Sequence, residues 1–321
     1  MSENSGASPA HEPVLAEEAV ELLGCKPGSV VVDATVGGGG HAERILGRVG
    51  ETGRLIGIDG DTEAIERVRG RIGSHPAVTL AHDNFRNLAE ILKRLGIERI
   101  DAVLFDVGLS SFQIEDARRG FSFMKEGPLD MRMDRSSGKT AAEIVNAYSE
   151  KQLAEIIKRY GEEPNARRIA RALVRERSQN PILTTTRLAD IVRGCALSGS
   201  RARLDPATRT FQALRIEVNS ELESLAEALN EGIAALRPGG RVCVISFHSL
   251  EDRIVKQTFA RAARGCICPA EFPKCVCGRQ PILRILTPKP IRPSSAEIER
   301  NPRSRSARLR AAEKIAMESV N

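Results

Sequence analysis

The chain has 321 residues and a net charge of +6, with 3% aromatic residues and no tryptophan. This length supports a sizeable core in one large domain or two modest ones, and no apolar run approaches the ~20 residues that a membrane-spanning helix needs. The opening MSENSGASPAHEP has neither a basic start nor an apolar stretch, so no secretory signal is expected and the cytoplasm is the expected location, with the seven cysteines expected as thiols or metal ligands before disulfides.

In chain order, residues 30–34, 54–59, 78–82 and 101–106 are short, apolar, β-branched runs. Residues 42–49, 63–72 and 85–95 between them carry helical patterns. Strands alternating with helices predict βαβ units and a parallel sheet covered on both faces, a doubly wound α/β fold. From Phe112 to Thr210 no apolar strand follows, and residues 149–160, 166–176 and 186–195 read as helices. A long amphipathic helix over 217–236 closes on Pro-Gly-Gly, and the apolar run RVCVISF, residues 241–247, resumes the sheet. The next helix is expected to start in SLED, Ser249 to Asp252, which fits a capping box. Residues 283–286 and 307–312 could add final strands. The expected organisation is a discontinuous sheet domain, residues 1–111 and 213–321, interrupted by a helical insertion at 112–212.

Charge is unevenly spread. Residues 284–310 hold eight basic and two acidic residues, equal to the whole excess. Such a segment suits a polyanionic partner, nucleic acid before membrane because no amphipathic apolar face accompanies it; a solvated tail is the other reading.

The stretch VVVDATVGGGGHAERIL, Val30 to Leu46, ends a strand on Asp33 and opens a helix behind four glycines. Gly37 to Ala42 formally satisfies G-x-G-x-x-A, so a dinucleotide and an NAD-dependent dehydrogenase must be considered. Two carboxylates speak against a pyrophosphate there. Asp33 stands at the strand end, and Asp106 ends the fourth strand at the same edge of the sheet. A ligand cationic in its middle and free of phosphate fits better, and S-adenosylmethionine is such a ligand. Asp59, ending the second strand, is placed to accept from ribose hydroxyls, since ligands of doubly wound folds sit at the carboxyl ends of strands. The competing reading is that these aspartates only cap turns.

The segment FDVGLSSFQIEDARRGFSFMKEGPLDMRMD, Phe105 to Asp134, resembles the signature of the bacterial small-subunit rRNA cytosine-N4 methyltransferases, the RsmH/MraW family. Similar stretches run along the chain: HEPVL at His11, DATVGGGGH at Asp33, YGEEPNARRIARALV at Tyr160, TRTFQALRIEVNSEL at Thr208, ISFHSLEDRIVK at Ile245 and NPRSRSARLRAAEK at Asn301. Val107 stands where Leu or Ile is usual, and Phe112 where Pro is usual. The resemblance implies a class I, Rossmann-like methyltransferase fold with a helical insertion that recognises rRNA. It also implies methyl transfer from S-adenosylmethionine to N4 of a cytosine in the P-site region of 16S rRNA, on the assembled 30S subunit, with neither membrane nor DNA as partner. The cofactor contacts it implies are Gly39, Gly40, His41, Asp59, Phe85, Asp106 and Gln113, with Phe85 packed on the adenine; an aromatic opening a helix is otherwise a core residue. A non-catalytic RNA-binding assembly factor is the rival from another class.

Attack by a cytosine N4, whose lone pair is conjugated with the ring, is helped by an acceptor for N4–H and by in-line placement against the S–CH3 bond. Asp106 is the candidate acceptor, the other reading being that it only holds the cofactor, with Ser110 and Ser111 in the same loop as candidates to orient the base. His248, past another strand end, could line the substrate side or cap a helix. The amino-methyltransferase tetrapeptide Asn/Asp-Pro-Pro-Tyr is missing, so Phe121 and Phe123 are candidates for base stacking, with insertion core as the alternative. No Cys lies near Asp106 in the chain, which disfavours C5 methylation. Arg167, Arg168, Arg171 and Arg175 fall close to one helical face and could contact phosphates. Cys266, Cys268, Cys275 and Cys277 form C-x-C-x6-C-x-C; four thiolates could hold zinc tetrahedrally, and reduced, loop-packed cysteines are the other reading.

Overall fold

The computed structural model describes residues 13–196, 205–266, 268, 272–274 and 276–316. Among them the chain forms two compact units: residues up to 108 together with those from 224 onward, and residues 109–223.

The first unit alternates as its apolar runs dictate. Its elements begin with α1 (Ala16–Leu23), β1 (Val30–Asp33), α2 (Gly40–Val49), β2 (Arg54–Asp59) and α3 (Thr62–Ile72). Next come β3 (Val78–His82), a 3-10 turn at Phe85–Asn87, α4 (Leu88–Arg94) and β4 (Ile100–Asp106). The sheet has seven strands in the order β3-β2-β1-β4-β5-β7-β6, where β5 is Leu236–Ser246, β6 is Leu283–Ile285 and β7 is Arg308–Lys314. Strands β1 to β5 run parallel; β7 is antiparallel to both of its neighbours. Because strand side chains alternate between faces, Val31, Leu55, Ala102, Leu104, Cys243 and Ile245 enter one core with Val20 of α1, Ile45 of α2 and Val68 of α3. Val32, Ile56, Val103, Phe105, Val242 and Val244 enter the other with Leu88 and Ile91. Each buried Val, Leu, Ile or Phe among them contributes roughly 1.5–3 kcal/mol relative to exposure.

The second unit contains helices and one isolated bridge, Pro128 to Thr184, among its described residues. Its helices are α5 (Ser111–Glu115), α6 (Ala141–Ala147), α7 (Glu150–Gly161), α8 (Ala166–Arg177), α9 (Thr185–Arg193) and α10 (Ala207–Asn219). Leu153 and Ile157 of α7, Ile169 and Leu173 of α8, and Phe211 and Leu214 of α10 are buried, while the Arg faces point away.

The chain re-enters the first unit through α11 (Glu221–Ala235). After β5 it adds α12 (Ser249–Ala263) and α13 (Ser295–Arg300). Buried residues of α11 and α12, among them Leu225, Leu229, Val255 and Phe259, complete the second face of the sheet.

Two local expectations are corrected here. The single helix expected over 217–236 is two, because Ser220 turns left-handed at φ 48°. Asn219 fixes that break: its Nδ2 donates to Met131 O at 2.8 Å and its Oδ1 accepts from Met133 N–H at 2.8 Å. The capping box of α12 is also one residue earlier than SLED suggests. His248 is the N-cap, its ring accepting Glu251 N–H, and Glu251 returns the bond. Asp252, the box partner expected for Ser249, instead pairs with Arg308 and Arg310.

Candidate active site

Strands β1, β2 and β4 end on Asp33, Asp59 and Asp106 at one edge of the sheet. Parallel pairing of β1 with both β2 and β4 brings the three ends together. Asp33 is 1% exposed; its Oδ1 accepts Thr35 N–H at 3.3 Å, and its Oδ2 is buried without a hydrogen-bond partner. Asp59 accepts Gly37 N–H at 2.9 Å and Asp61 N–H at 2.8 Å, one on each oxygen. The Asp106 backbone N–H donates to Thr35 Oγ1 at 2.7 Å, while its carboxylate Oδ1 is buried and unpartnered. His41, on the first turn of α2, brings Nε2 to 3.4 Å from Asp106 Oδ2. That is ion-pairing distance without hydrogen-bond alignment, and neither ring nitrogen has a hydrogen-bond partner.

Buried polar atoms are nearly always satisfied, so unpartnered oxygens and ring nitrogens gathered in one place mark a site prepared for something else. The protons respond accordingly. Burial pushes the Asp33 carboxyl up to about 7 against the opposing pull of His41, and neighbouring Asp106 and Asp59 raise it further. Burial likewise lifts Asp59 to about 6, with the Asp61 and Gly37 amides pulling the other way. Burial alone would lower His41, yet the carboxylates of Asp106 and Asp33 outweigh it and raise the imidazole above its ordinary value. The cluster is short of positive charge.

The glycines behave differently from a simple opening toward a ligand. Gly39 sits at φ 84°, and a Cβ there would lie 3.2 Å from Val68 Cγ2. A Cβ on Gly40 would lie 2.9 Å from Pro13 Cγ. The room both glycines provide is therefore taken up by the protein's own side chains, and what remains for a ligand is backbone at the start of α2. Phe85 packs edge-on against the core ring of Phe105, with centroids 6.1 Å apart.

The other expected residues fall into distinct settings. Ser110 and Gln113 belong to the second unit and form the capping box of α5: Ser110 Oγ accepts Gln113 N–H at 3.3 Å, and Gln113 Oε1 accepts Ser110 N–H at 3.1 Å. Ser111 is the first residue of that helix. Phe121 is buried, and Phe123 meets Phe211 edge-on at 4.9 Å under the Arg193 guanidinium; both rings are packed within the helical unit. The ring of His248 is engaged at the start of α12, with Nε2 3.0 Å from Glu251 Oε1. Arg167, Arg168, Arg171 and Arg175 are all exposed on α8, opposite its buried face.

The basic segment is no loose tail. Arg310 is 7% exposed and pairs with Asp252 at 2.6 Å, Arg308 reaches the same carboxylate, and Arg284 pairs with Glu313 at 2.6 Å. Lys289, Arg292, Arg300, Arg303 and Arg305 are the exposed remainder. His11 and Cys275 lie outside the described residues.

Thr35 was not singled out from sequence, although it joins the site's two halves by donating N–H to Asp33 and accepting from Asp106. The readable signal was its place two residues after the strand-ending aspartate, where a hydroxyl can bond nearby backbone.

A doubly wound sheet with an antiparallel β7, acidic strand ends and a glycine-opened helix is a Rossmann-like fold with its candidate site at the carboxyl ends of the strands. The model of the MraW methylase family matches residues 8–315, and the chain belongs to that family. It is 53% identical over 311 residues to a protein of Thermomicrobium roseum named ribosomal RNA small subunit methyltransferase H, covering 96% of this chain and 95% of that one. Proteins of the same name from Geotalea uraniireducens and Halothermothrix orenii are 52% and 48% identical, each covering 95% of this chain and 98% of theirs.

Proposed function

We propose that this protein transfers the methyl group of S-adenosylmethionine to the exocyclic N4 of a cytosine in the P-site region of small-subunit rRNA. The unpartnered buried Asp33 Oδ2 and Asp106 Oδ1 carry the reading. Family membership supports methyl transfer, and the relatives' names support small-subunit rRNA as the substrate class.

The residues present fit the donor. S-adenosylmethionine supplies an electrophilic methyl on a cationic sulfur, with a second cation in its amino group. Asp33, which burial keeps from ionising freely, gains a counter-charge for its carboxylate. Asp59 retains acceptor capacity beyond its two backbone N–H bonds and takes the ribose hydroxyls. His41 is held near Asp106, with Nε2 3.4 Å from its Oδ2. A pyrophosphate would meet the same carboxylates with the wrong sign, which disfavours the dinucleotide alternative.

Asp106 accepts a hydrogen bond from N4–H, drawing the amino nitrogen out of conjugation and turning its lone pair toward the methyl carbon. With the donor bound, N–C bond formation with C–S cleavage would move the positive charge from sulfur to N4 and release the neutral demethylated thioether. One N4 proton then leaves to Asp106 or to water, giving the neutral methylamino base. Holding both partners in line supplies several kcal/mol of barrier lowering. The exposed arginines of α8 contact RNA phosphates and make binding salt-dependent.

The test supplies labelled S-adenosylmethionine and unmethylated small subunits, then digests the RNA and identifies the modified nucleoside. N4-methylcytidine is expected; label on a carbon atom or on another base would overturn the assignment.

A further inference from the structure

The segment between the end of α12 at Ala263 and β6 at Leu283 has no helix or strand among its described residues. It leaves the last turn of α12 and comes back to it: Arg279 Nη2 donates to Arg261 O at 2.7 Å, and Ile282 N–H donates to Ala262 O at 2.7 Å. Phe272 and Val276 within it are exposed, 51% and 73%, so neither ring nor branched side chain anchors it in a core. Loops of this length without secondary structure need another source of order or a function.

Three sulfurs converge in that loop. The Sγ atoms of Cys266, Cys268 and Cys277 all lie within 4.8 Å of one another, and those of Cys266 and Cys277 are 3.9 Å apart. Tetrahedral zinc with Zn–S bonds of about 2.3 Å sets its thiolates about 3.8 Å apart. Backbone amides also point at sulfur: Cys268 N–H donates to Cys266 Sγ and Val276 N–H to Cys268 Sγ, both at 3.4 Å. Such bonds favour the charged form of the acceptor. In sequence, Arg264, Lys274 and Arg279 bracket the cysteines and offset the negative charge of a thiolate-rich centre.

The geometry points to a structural metal site in which the Cys266, Cys268 and Cys277 thiolates bind zinc and clip the loop closed on the end of α12. Binding releases the thiol protons to solvent, and the metal stands where Phe272 and Val276, among the loop's described residues, are exposed and supply no core. The site uses none of the residues assigned to methyl transfer.

The test is made on the full chain, expressed with zinc and purified under a thiol reductant without chelator. Elemental analysis is expected to find one zinc per chain, released stoichiometrically when an organomercurial titrates the thiols. Cobalt(II) in its place is expected to give sulfur charge-transfer bands and intense tetrahedral visible bands. Cys266→Ser, Cys268→Ser and Cys277→Ser are each expected to weaken metal affinity by at least the roughly 10–100-fold that even outer-shell changes cost, while Cys25→Ser leaves it unchanged. Calorimetric binding of S-adenosylmethionine reports separately that each variant is folded, and the organomercurial release on the unmutated chain needs no variant. Metal-free protein with reactive thiols, a Cys266–Cys277 disulfide in its place, unchanged zinc in the three variants, or six-coordinate cobalt would each overturn the site.

Discussion

Asp33 in the sheet unit and Asp130 in the helical unit are both buried aspartates, 1% and 8% exposed, yet their surroundings move their protons in opposite directions. Asp130 accepts from Arg132 Nε at 2.7 Å and Nη2 at 3.0 Å, and from the Arg132 backbone N–H. Although burial works against it, those bonds hold its carboxyl below the usual range. Asp205 is likewise lowered by Arg193 despite burial. Asp33 has no arginine, and burial carries it up to about 7. A paired acid belongs to the architecture; a buried acid lacking its cation supports the proposal that Asp33 is kept for a ligand that brings one.

Asp106→Asn gives the largest expected effect. Removing the proposed N4–H acceptor is expected to lower turnover on small subunits by about 100-fold or more, with donor binding reduced far less. Single-turnover kinetics beside calorimetry checks this; equal losses in both would make Asp106 a donor contact only. Its counterpart, Asp130→Asn, is expected to leave donor affinity alone and to destabilise the helical unit by about 1–3 kcal/mol, since it strands the Arg132 guanidinium. Denaturant titration measures that loss.

The two classes of aspartate should also separate by pH. Between the unfolded value of 3.8 and about 7, native Asp33 holds a proton that the unfolded chain has released. Its contribution to stability is thus fully present below the unfolded value and disappears as pH rises toward about 7, and Asp59 follows up to about 6. The arginine-paired Asp130 and Asp205, both lowered, contribute above their unfolded value and lose that contribution as pH falls below it. From these groups donor-free protein is therefore expected to melt highest near the unfolded carboxyl value of 3.8, and melting curves taken across pH show whether the maximum lies there. The smallest effect is expected at the surface. Arg171 pairs with Glu150 at 3.6 Å and is 76% exposed, so Arg171→Ala should change stability by less than about 1 kcal/mol. It should reduce the salt dependence of subunit binding by about one counterion.

Most of the sheet was legible because its strands are unbroken β-branched runs ending on Asp33, Asp59 and Asp106, with helical periodicity between them. The gathering of the three carboxylates was legible for the same reason: strand ends fix position. What sequence could not supply was the partner each polar atom finds. The Arg-rich segment divides into sheet arginines locked on Asp252 and Glu313 and an exposed remainder, a division that charge counting cannot make. Gly39 and Gly40 give way to Val68 and Pro13, a tertiary contact with no local signature. The break at Ser220 depends on Asn219 bonding residues 86 and 88 positions away. Helix α1 was missed altogether, its eight residues being too short a window for periodicity to stand out.

Calorimetry of S-adenosylmethionine against its neutral demethylated product, repeated across pH and in buffers of different ionisation enthalpy, bears most directly on the claim that these strand ends await a cation. The cationic donor should bind with proton release near neutrality and lose up to about tenfold affinity per pH unit below the Asp33 value, while the neutral product shows a shallower dependence. Equal, pH-independent binding of both, or no binding of either, would contradict it.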